Sequence, residues 1–137
     1  FHREFNYQVL TDALTAVLGG AVLIGSNDDP TYPTPNGPIP GGGSILAAIE
    51  KASGMTTVVT GKPYGPMAKL VRDLCGNVTP EEMVMIGDRA DTDGGFARIL
   101  GARFAMVLSG VMHTAVGADA DIVADDLSAV AEILLKE

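Results

Sequence analysis

With 137 residues and 47% hydrophobic content, the chain is long enough for one domain with a sizeable core. Its net charge of −8 argues against nucleic-acid and anionic-membrane partners, which would repel it at long range, but admits a small anionic ligand if a cation is supplied locally. The single cysteine, Cys75, excludes an intrachain disulfide and fits a reducing cytoplasm, and no apolar run reaches the roughly 18 residues of a membrane span.

The opening Phe1-His2-Arg3-Glu4-Phe5 has neither an initiator Met nor the character of a flexible tail, and is read as continuing from a longer chain. No signal-peptide pattern is present there. Asn6 is placed to cap a helix whose Leu10, Ala13, Leu14, Val17 and Leu18 recur at helical spacing, with Gly19-Gly20 as the stop. Ala21 to Ile24 reads as a buried strand ending in the polar turn Gly25-Ser26-Asn27-Asp28-Asp29. Prolines at 30, 33, 35, 38 and 40, followed by Gly41-Gly42-Gly43, predict a loop stiffened by proline and released by glycine. Those glycines are not a dinucleotide fingerprint, because no strand directly precedes them and the Gly-x-Gly-x-x-Gly spacing is absent.

Ser44 is expected to cap a helix over Ile45 to Ala52, with Gly54 as its left-handed terminus. Thr57 to Thr60 is β-branched and predicts a strand, which ends in Gly61-Lys62-Pro63 and so leaves a cation at its carboxyl end. Pro66 to Cys75 predicts a helix with Met67, Leu70, Val71 and Leu74 inward and Cys75 as a buried structural thiol. Thr79-Pro80-Glu81-Glu82 has the form of a capping box with room for only a short turn.

Met83 to Ile86 is a continuous apolar run of the kind found in a parallel strand covered on both faces. Gly87 allows a sharp exit, and Asp88, Asp91 and Asp93 follow within a few positions. So dense a group of carboxylates is unfavourable without a cation or a hard divalent metal nearby. The plainer reading is that Thr92 or Asp93 caps the helix at Gly94 to Leu100, whose inner residues are Phe96, Ala97 and Leu100. Arg103 to Leu108 is a further apolar strand closed by Ser109-Gly110, and His113 reads as a surface residue. A weak strand at Ile122-Val123 and a last helix on Leu127, Val130, Ile133 and Leu134, capped by Asp125 or Asp126, complete the chain.

This alternation predicts an α/β fold: a Rossmann-like parallel sheet with helices on both faces, forming a single domain over 1–137. In such sheets ligands bind beyond the carboxyl ends of the strands. Three strand ends are expected at one rim there, carrying Ser26-Asn27-Asp28, Gly61-Lys62-Pro63, and Gly87-Asp88 with Thr92-Asp93. One lysine among carboxylates and a metal suits phosphoryl transfer, where positioning and charge neutralisation supply most of the catalysis.

In this order and spacing the elements resemble the haloacid dehalogenase (HAD) superfamily of phosphatases, specifically the nitrophenylphosphatase-like branch with a large cap inserted mid-chain. The resemblance rests on Phe5-Asn6-Tyr7, Ile24-Gly25-Ser26-Asn27-Asp28, Gly61-Lys62-Pro63, Gly87-Asp88-x-x-x-Thr92-Asp93 and Val107-Leu108-Ser109-Gly110-Val111. It implies that Lys62 holds the nucleophilic carboxylate and the transferring phosphoryl group, that Asp88 is a magnesium ligand, and that Asp93 is a second ligand or orients the ligands from outside without touching the metal. Asn27 would border the substrate pocket, and Asp91 occupies a variable position of the motif. The implied activity is magnesium-dependent hydrolysis of a small phosphate monoester through an aspartyl-phosphate intermediate.

The departure from the family is large. Its Asp-x-Asp pair of nucleophile and general acid–base has no counterpart here, since Asp91-x-Asp93 and Asp119-x-Asp121 do not follow a hydrophobic strand as the family requires. The upstream Thr or Ser motif and the cap are missing too. The match is therefore to the C-terminal portion of a HAD-like core. The expected partner is the upstream half of the same protein, homo-oligomerisation is left open, and the chain alone is expected to be inactive and to expose apolar surface. A non-catalytic α/β metal-binding or scaffolding module is the alternative from another class. A receiver-like domain is less suitable, because no strand-terminal Asp is a good phosphoacceptor.

Overall fold

The computed structural model describes residues 4–137; the residues Phe1 to Arg3, part of the opening read as continuing from a longer chain, lie outside the described residues. The chain divides into two compact units, one ending at Gly61 and the other running from Lys62 to Glu137. Among the described residues no helix is long and apolar enough to cross a membrane.

The first unit opens with α1 (Tyr7–Leu18), whose start is set by Asn6: its Oδ1 accepts the Val9 N–H at 3.0 Å. The following strand β1 (Ile24–Gly25) is shorter than the predicted buried segment, and Val22 and Ile24 are 70% and 63% exposed. Successive strand residues face opposite sides. Gly25 is buried where a Cβ would meet the Leu46 side chain, whereas the side bearing Ile24 is left open. This matches the expectation of exposed apolar surface.

The proline-rich segment was expected to be a loop and instead contains a small antiparallel pair, β2 (Thr31–Tyr32) and β3 (Ile39–Pro40), with Thr31 opposite Pro40. Thr, Tyr and Ile favour extended backbone, proline is tolerated on an edge, and Gly37 (φ 104°) closes the turn by donating its N–H to the Thr34 carbonyl at 3.0 Å. Helix α2 (Gly42–Ser53) begins earlier than predicted, and its cap is Gly41 rather than Ser44, whose hydroxyl donates to the Pro30 carbonyl at 2.7 Å. A Cβ on Gly41 or Gly43 would strike the carbonyl of Asp29 or Asp28, so the triple glycine lets the helix start hard against that loop. Gly54 ends it in the left-handed conformation, φ 72°, as expected. Strand β4 (Val58–Val59) then pairs in parallel with β1, Ile24 opposite Val58.

The second unit holds α3 (Gly65–Cys75), a 3₁₀ turn at Pro80–Glu82, β5 (Val84–Gly87), a π turn at Ala90–Gly94 that continues into α4 (Gly95–Leu100), β6 (Arg103–Val107), β7 (Ile122–Ala124) and α5 (Leu127–Leu134). The strands form a parallel sheet in the order β5-β6-β7, with Met85 opposite Phe104 and Ala105 opposite Ile122. Alternation along these strands sorts the core onto two faces. Met83 and Met85 pack with Ala68, Phe96 and Leu100 of α3 and α4, while Val84, Ile86, Ala105 and Ile122 pack with Val130 of α5. Helices thus cover both faces of the sheet in this unit.

Two expectations for α3 fail. Its most buried residue is Ala68, with Met67 and Val71 beside it, and Leu70 and Leu74 are 50% and 77% exposed. The small alanine lets α3 approach Phe96 and Leu100, which rotates the longer leucines outward. Cys75 is exposed, not buried: it is the last residue of the helix, beside the Gly76 stop and outside the cluster around Ala68. The capping box at Thr79 and Glu82 forms as predicted, the Thr79 N–H donating to Glu82 Oε2 at 2.8 Å. Asp126 caps α5 by accepting the Ala129 N–H at 2.9 Å. His113 is exposed, as expected, with Nδ1 3.2 Å from the Leu108 carbonyl.

Candidate active site

The carboxyl end of β5 places the acidic turn. Gly87 leaves the strand, and a Cβ at this position would occupy the space taken by the Asp93 carboxyl group, so only glycine lets Asp93 fold back beneath the strand end. Asp93 is 5% exposed. Burying a carboxylate is costly unless it is paired and hydrogen-bonded. Both requirements are met: Lys62 Nζ lies 2.7 Å from Oδ1, and the Arg89 backbone N–H donates to Oδ2 at 3.2 Å. The lysine is partly solvent-accessible, its side chain 45% exposed, and is followed by a cis Lys62–Pro63 peptide.

Asp93 is therefore not a helix cap. The backbone is already helical at Gly94, because the π turn runs directly into α4, and no side chain caps the helix. Thr92 does not cap it either.

Asp88 is held by a different loop. Its Oδ2 accepts the Val111 N–H at 2.6 Å, and Gly110 lacks the Cβ that would collide with the same carboxyl group. Among the described residues no donor reaches its Oδ1, which leaves that oxygen for a ligand. Asp91 points elsewhere: it receives Arg89 Nε at 3.0 Å and Nη2 at 2.5 Å on its two oxygens, and the Thr92 N–H at 2.9 Å. The Arg89 guanidinium holds the Asp91 carboxyl below its usual range.

Of the candidates, Lys62 and Asp93 are brought into direct contact, and Asp88 stands on the same acidic turn with its own support. Asn27 belongs to the first unit, where its Oδ1 accepts the Asp29 N–H at 3.3 Å and it borders a cavity of about 220 Å³ with Asp29, Tyr32 and Gly42. The sequence marks no site role for Gly110, Val111 or Met112. Val107-Leu108-Ser109-Gly110-Val111 carries part of the family resemblance, but a backbone N–H that grips a carboxylate has no side-chain signature. Val111 and Met112 also line, with Arg89, Ala90 and Val116, an open groove of about 420 Å³.

Hard oxygen donors suit magnesium. Asp88 Oδ1 and the Asp93 carboxylate are of that kind, so their chemistry fits the ion, although the Asp93 oxygens already take Lys62 Nζ and the Arg89 N–H. Among the described residues no group of three or more His, Cys, Asp or Glu side chains could hold a metal, so these two would be only part of a coordination shell.

A parallel α/β unit with a lysine–carboxylate pair and a second carboxylate just beyond the end of β5 is an arrangement that suits phosphoryl transfer. The HAD-hydrolase-like family model matches residues 59–130, and the chain belongs to that family. It is 36% identical to a dihydroxyacetone phosphatase of Corynebacterium glutamicum over 82% of this chain and 41% of that protein. Among solved structures it resembles the p-nitrophenyl phosphatase of Archaeoglobus fulgidus, with a TM-score of 0.89 and 30% identity, over 97% of this chain and 54% of that one. It also resembles a Mycobacterium tuberculosis glycerol phosphate phosphatase in complex with magnesium, with a TM-score of 0.80 and 33% identity, over 95% of this chain and 40% of that one. The chain thus spans between 28% and 41% of the length of the curated relatives it matches. The resemblance to the nitrophenylphosphatase-like branch, and to part of its core, stands.

Proposed function

We propose that the complete protein is a magnesium-dependent phosphatase of a small phosphate monoester, working through an aspartyl-phosphate intermediate, and that residues 1–137 are the C-terminal portion of its core. The observation that carries this reading is the Lys62–Asp93 pair: a half-exposed lysine whose ammonium is fixed at 2.7 Å by a buried carboxylate beyond a strand end. A lysine so held presents a directed positive charge at no further cost of ordering, which is what a transferring phosphoryl group requires. The names of the relatives as phosphatases, and of one structure as a magnesium complex, support it.

In this scheme Lys62 binds the phosphoryl oxygens and the attacking carboxylate. Asp93 fixes the direction of the lysine from beneath, and Asp88 offers Oδ1 to the metal. Magnesium, when bound, offsets the negative charge that gathers on the phosphoryl group. The nucleophilic Asp and the Asp that protonates the leaving oxygen and then activates water come from an upstream segment of the same protein, the partner this chain needs. Alone, residues 1–137 would not turn over. A reducing cytoplasmic setting suits the exposed Cys75.

The test is Asp88→Asn in the complete protein, assayed by phosphate release from p-nitrophenyl phosphate at ordinary magnesium. Turnover should fall roughly a hundredfold. Undiminished turnover would overturn the assignment.

A further inference from the structure

The turn that carries Asp91 and Asp93, and that Asp88 enters, begins with backbone N–H groups that no earlier helical turn can satisfy. Arg89 N–H is taken by the Asp93 side chain and Thr92 N–H by Asp91, both from within the turn. Ala90 N–H is taken from outside, by Met112 Sδ at 3.5 Å. Met112 directly follows Val111, whose N–H grips Asp88. The methionine also packs with Ala90 and Leu108 against the buried Ala97, Phe104 and Met106. Two adjacent residues of the loop after β6 therefore bind the acidic turn, one through the Asp88 carboxylate and one through the backbone two residues later.

We propose that Met112 is a positioning residue for the metal site: by accepting the Ala90 N–H it fixes the π turn against the loop after β6, and so fixes the separation of Asp88 and Asp93. A thioether is a weak acceptor, but here it has no competitor from the turn itself, and the packing of the half-buried side chain against Ala97, Phe104 and Met106 holds it in place. Leucine has nearly the same volume and no acceptor. Met112→Leu therefore keeps the packing and leaves the Ala90 N–H without its partner, whereas Met112→Gln restores an oxygen acceptor on a chain of similar length. The proposal rests on the metal-site reading above for its consequence, but not for its geometry.

The experiment uses the complete protein in three forms, wild type, Met112→Leu and Met112→Gln, with two readouts. In the first, amide hydrogen exchange without metal, Met112→Leu should speed exchange at Ala90 roughly fivefold or more while amides of β6 are unchanged, and Met112→Gln should return it toward wild type. In the second, the magnesium concentration for half-maximal phosphate release should rise roughly fivefold in Met112→Leu, with turnover at saturating magnesium within about twofold of wild type, and recover in Met112→Gln. Unchanged exchange at Ala90 overturns the latch. Faster exchange with an unchanged magnesium requirement overturns the positioning role. If wild type itself shows no magnesium-dependent phosphatase activity, the functional reading has failed and the role toward magnesium falls with it, while the exchange result still decides the latch.

Discussion

Lys62 and Asp93, thirty-one positions apart, meet at 2.7 Å, the lysine half in solvent and the aspartate buried. The asymmetry of that pair decides what each residue contributes. Asp93 depends on its partner for tolerable burial, whereas Lys62 has water as an alternative.

Replacing Lys62 by Met should therefore destabilise the protein by roughly 1–3 kcal/mol, less than for a fully buried pair because the lysine end is screened. Adding Asp93→Asn should recover part of the loss, since the buried charge is then gone. Urea denaturation of the two variants of the complete protein measures both. A double variant no more stable than Lys62→Met would show that the stranded carboxylate is not the source of the effect.

Gly110 is adjacent to the residue that holds Asp88, and an added Cβ would meet the Asp88 carboxyl directly. Gly110→Ala must displace either the loop or the carboxylate, and phosphate release by the complete protein should fall at least about tenfold. Gly65→Ala is the comparison: nothing lies within 4 Å of its added Cβ, so stability should stay within about 0.5 kcal/mol of wild type or improve slightly. Equal activity losses in the two variants would remove the special role of the Gly110 contact.

Asp91 has its carboxyl held below the ordinary value by the Arg89 guanidinium. A carboxylate whose folded value is depressed contributes stability that is present above its unfolded value, near 3.8, and lost as pH falls through the lower folded value. Asp91→Asn should therefore lower stability slightly at pH 7, the pair being exposed, and that difference should close as pH falls below about 4, which flattens the acid limb of the stability-versus-pH curve. Melting temperatures from pH 2 to 7 would show it; parallel curves for variant and wild type count against the coupling.

Much of the fold was legible because local rules decided it. Asn6 caps α1, Gly54 ends α2, Thr79 and Glu82 close a capping box, and Phe96, Ala97 and Leu100 face inward, each through interactions within a turn or two of chain or through a strong periodicity. Where prediction failed, a distant neighbour had overridden the local preference. Ser44 gave up capping for the Pro30 carbonyl, and α3 turned on Ala68 because Phe96 and Leu100 demanded a small residue there. Cys75 lies outside that contact, and the proline-rich loop became a strand pair through cross-strand partners.

The same division holds at the site. Sequence by itself determined which residues are the candidates: Lys62, Asp88 and Asp93 stand in motifs whose residue types and spacing single them out. It did not determine what each one touches. Whether Asp93 capped a helix or held a lysine, whether Asp91 joined the site or paired with Arg89, and that Gly110, Val111 and Met112 support the acidic turn were decided by the tertiary structure alone. The physical reason is that a buried carboxylate takes whichever donors the packed chain brings within about 3 Å, and those donors are often backbone N–H groups, which every sequence carries and none advertises.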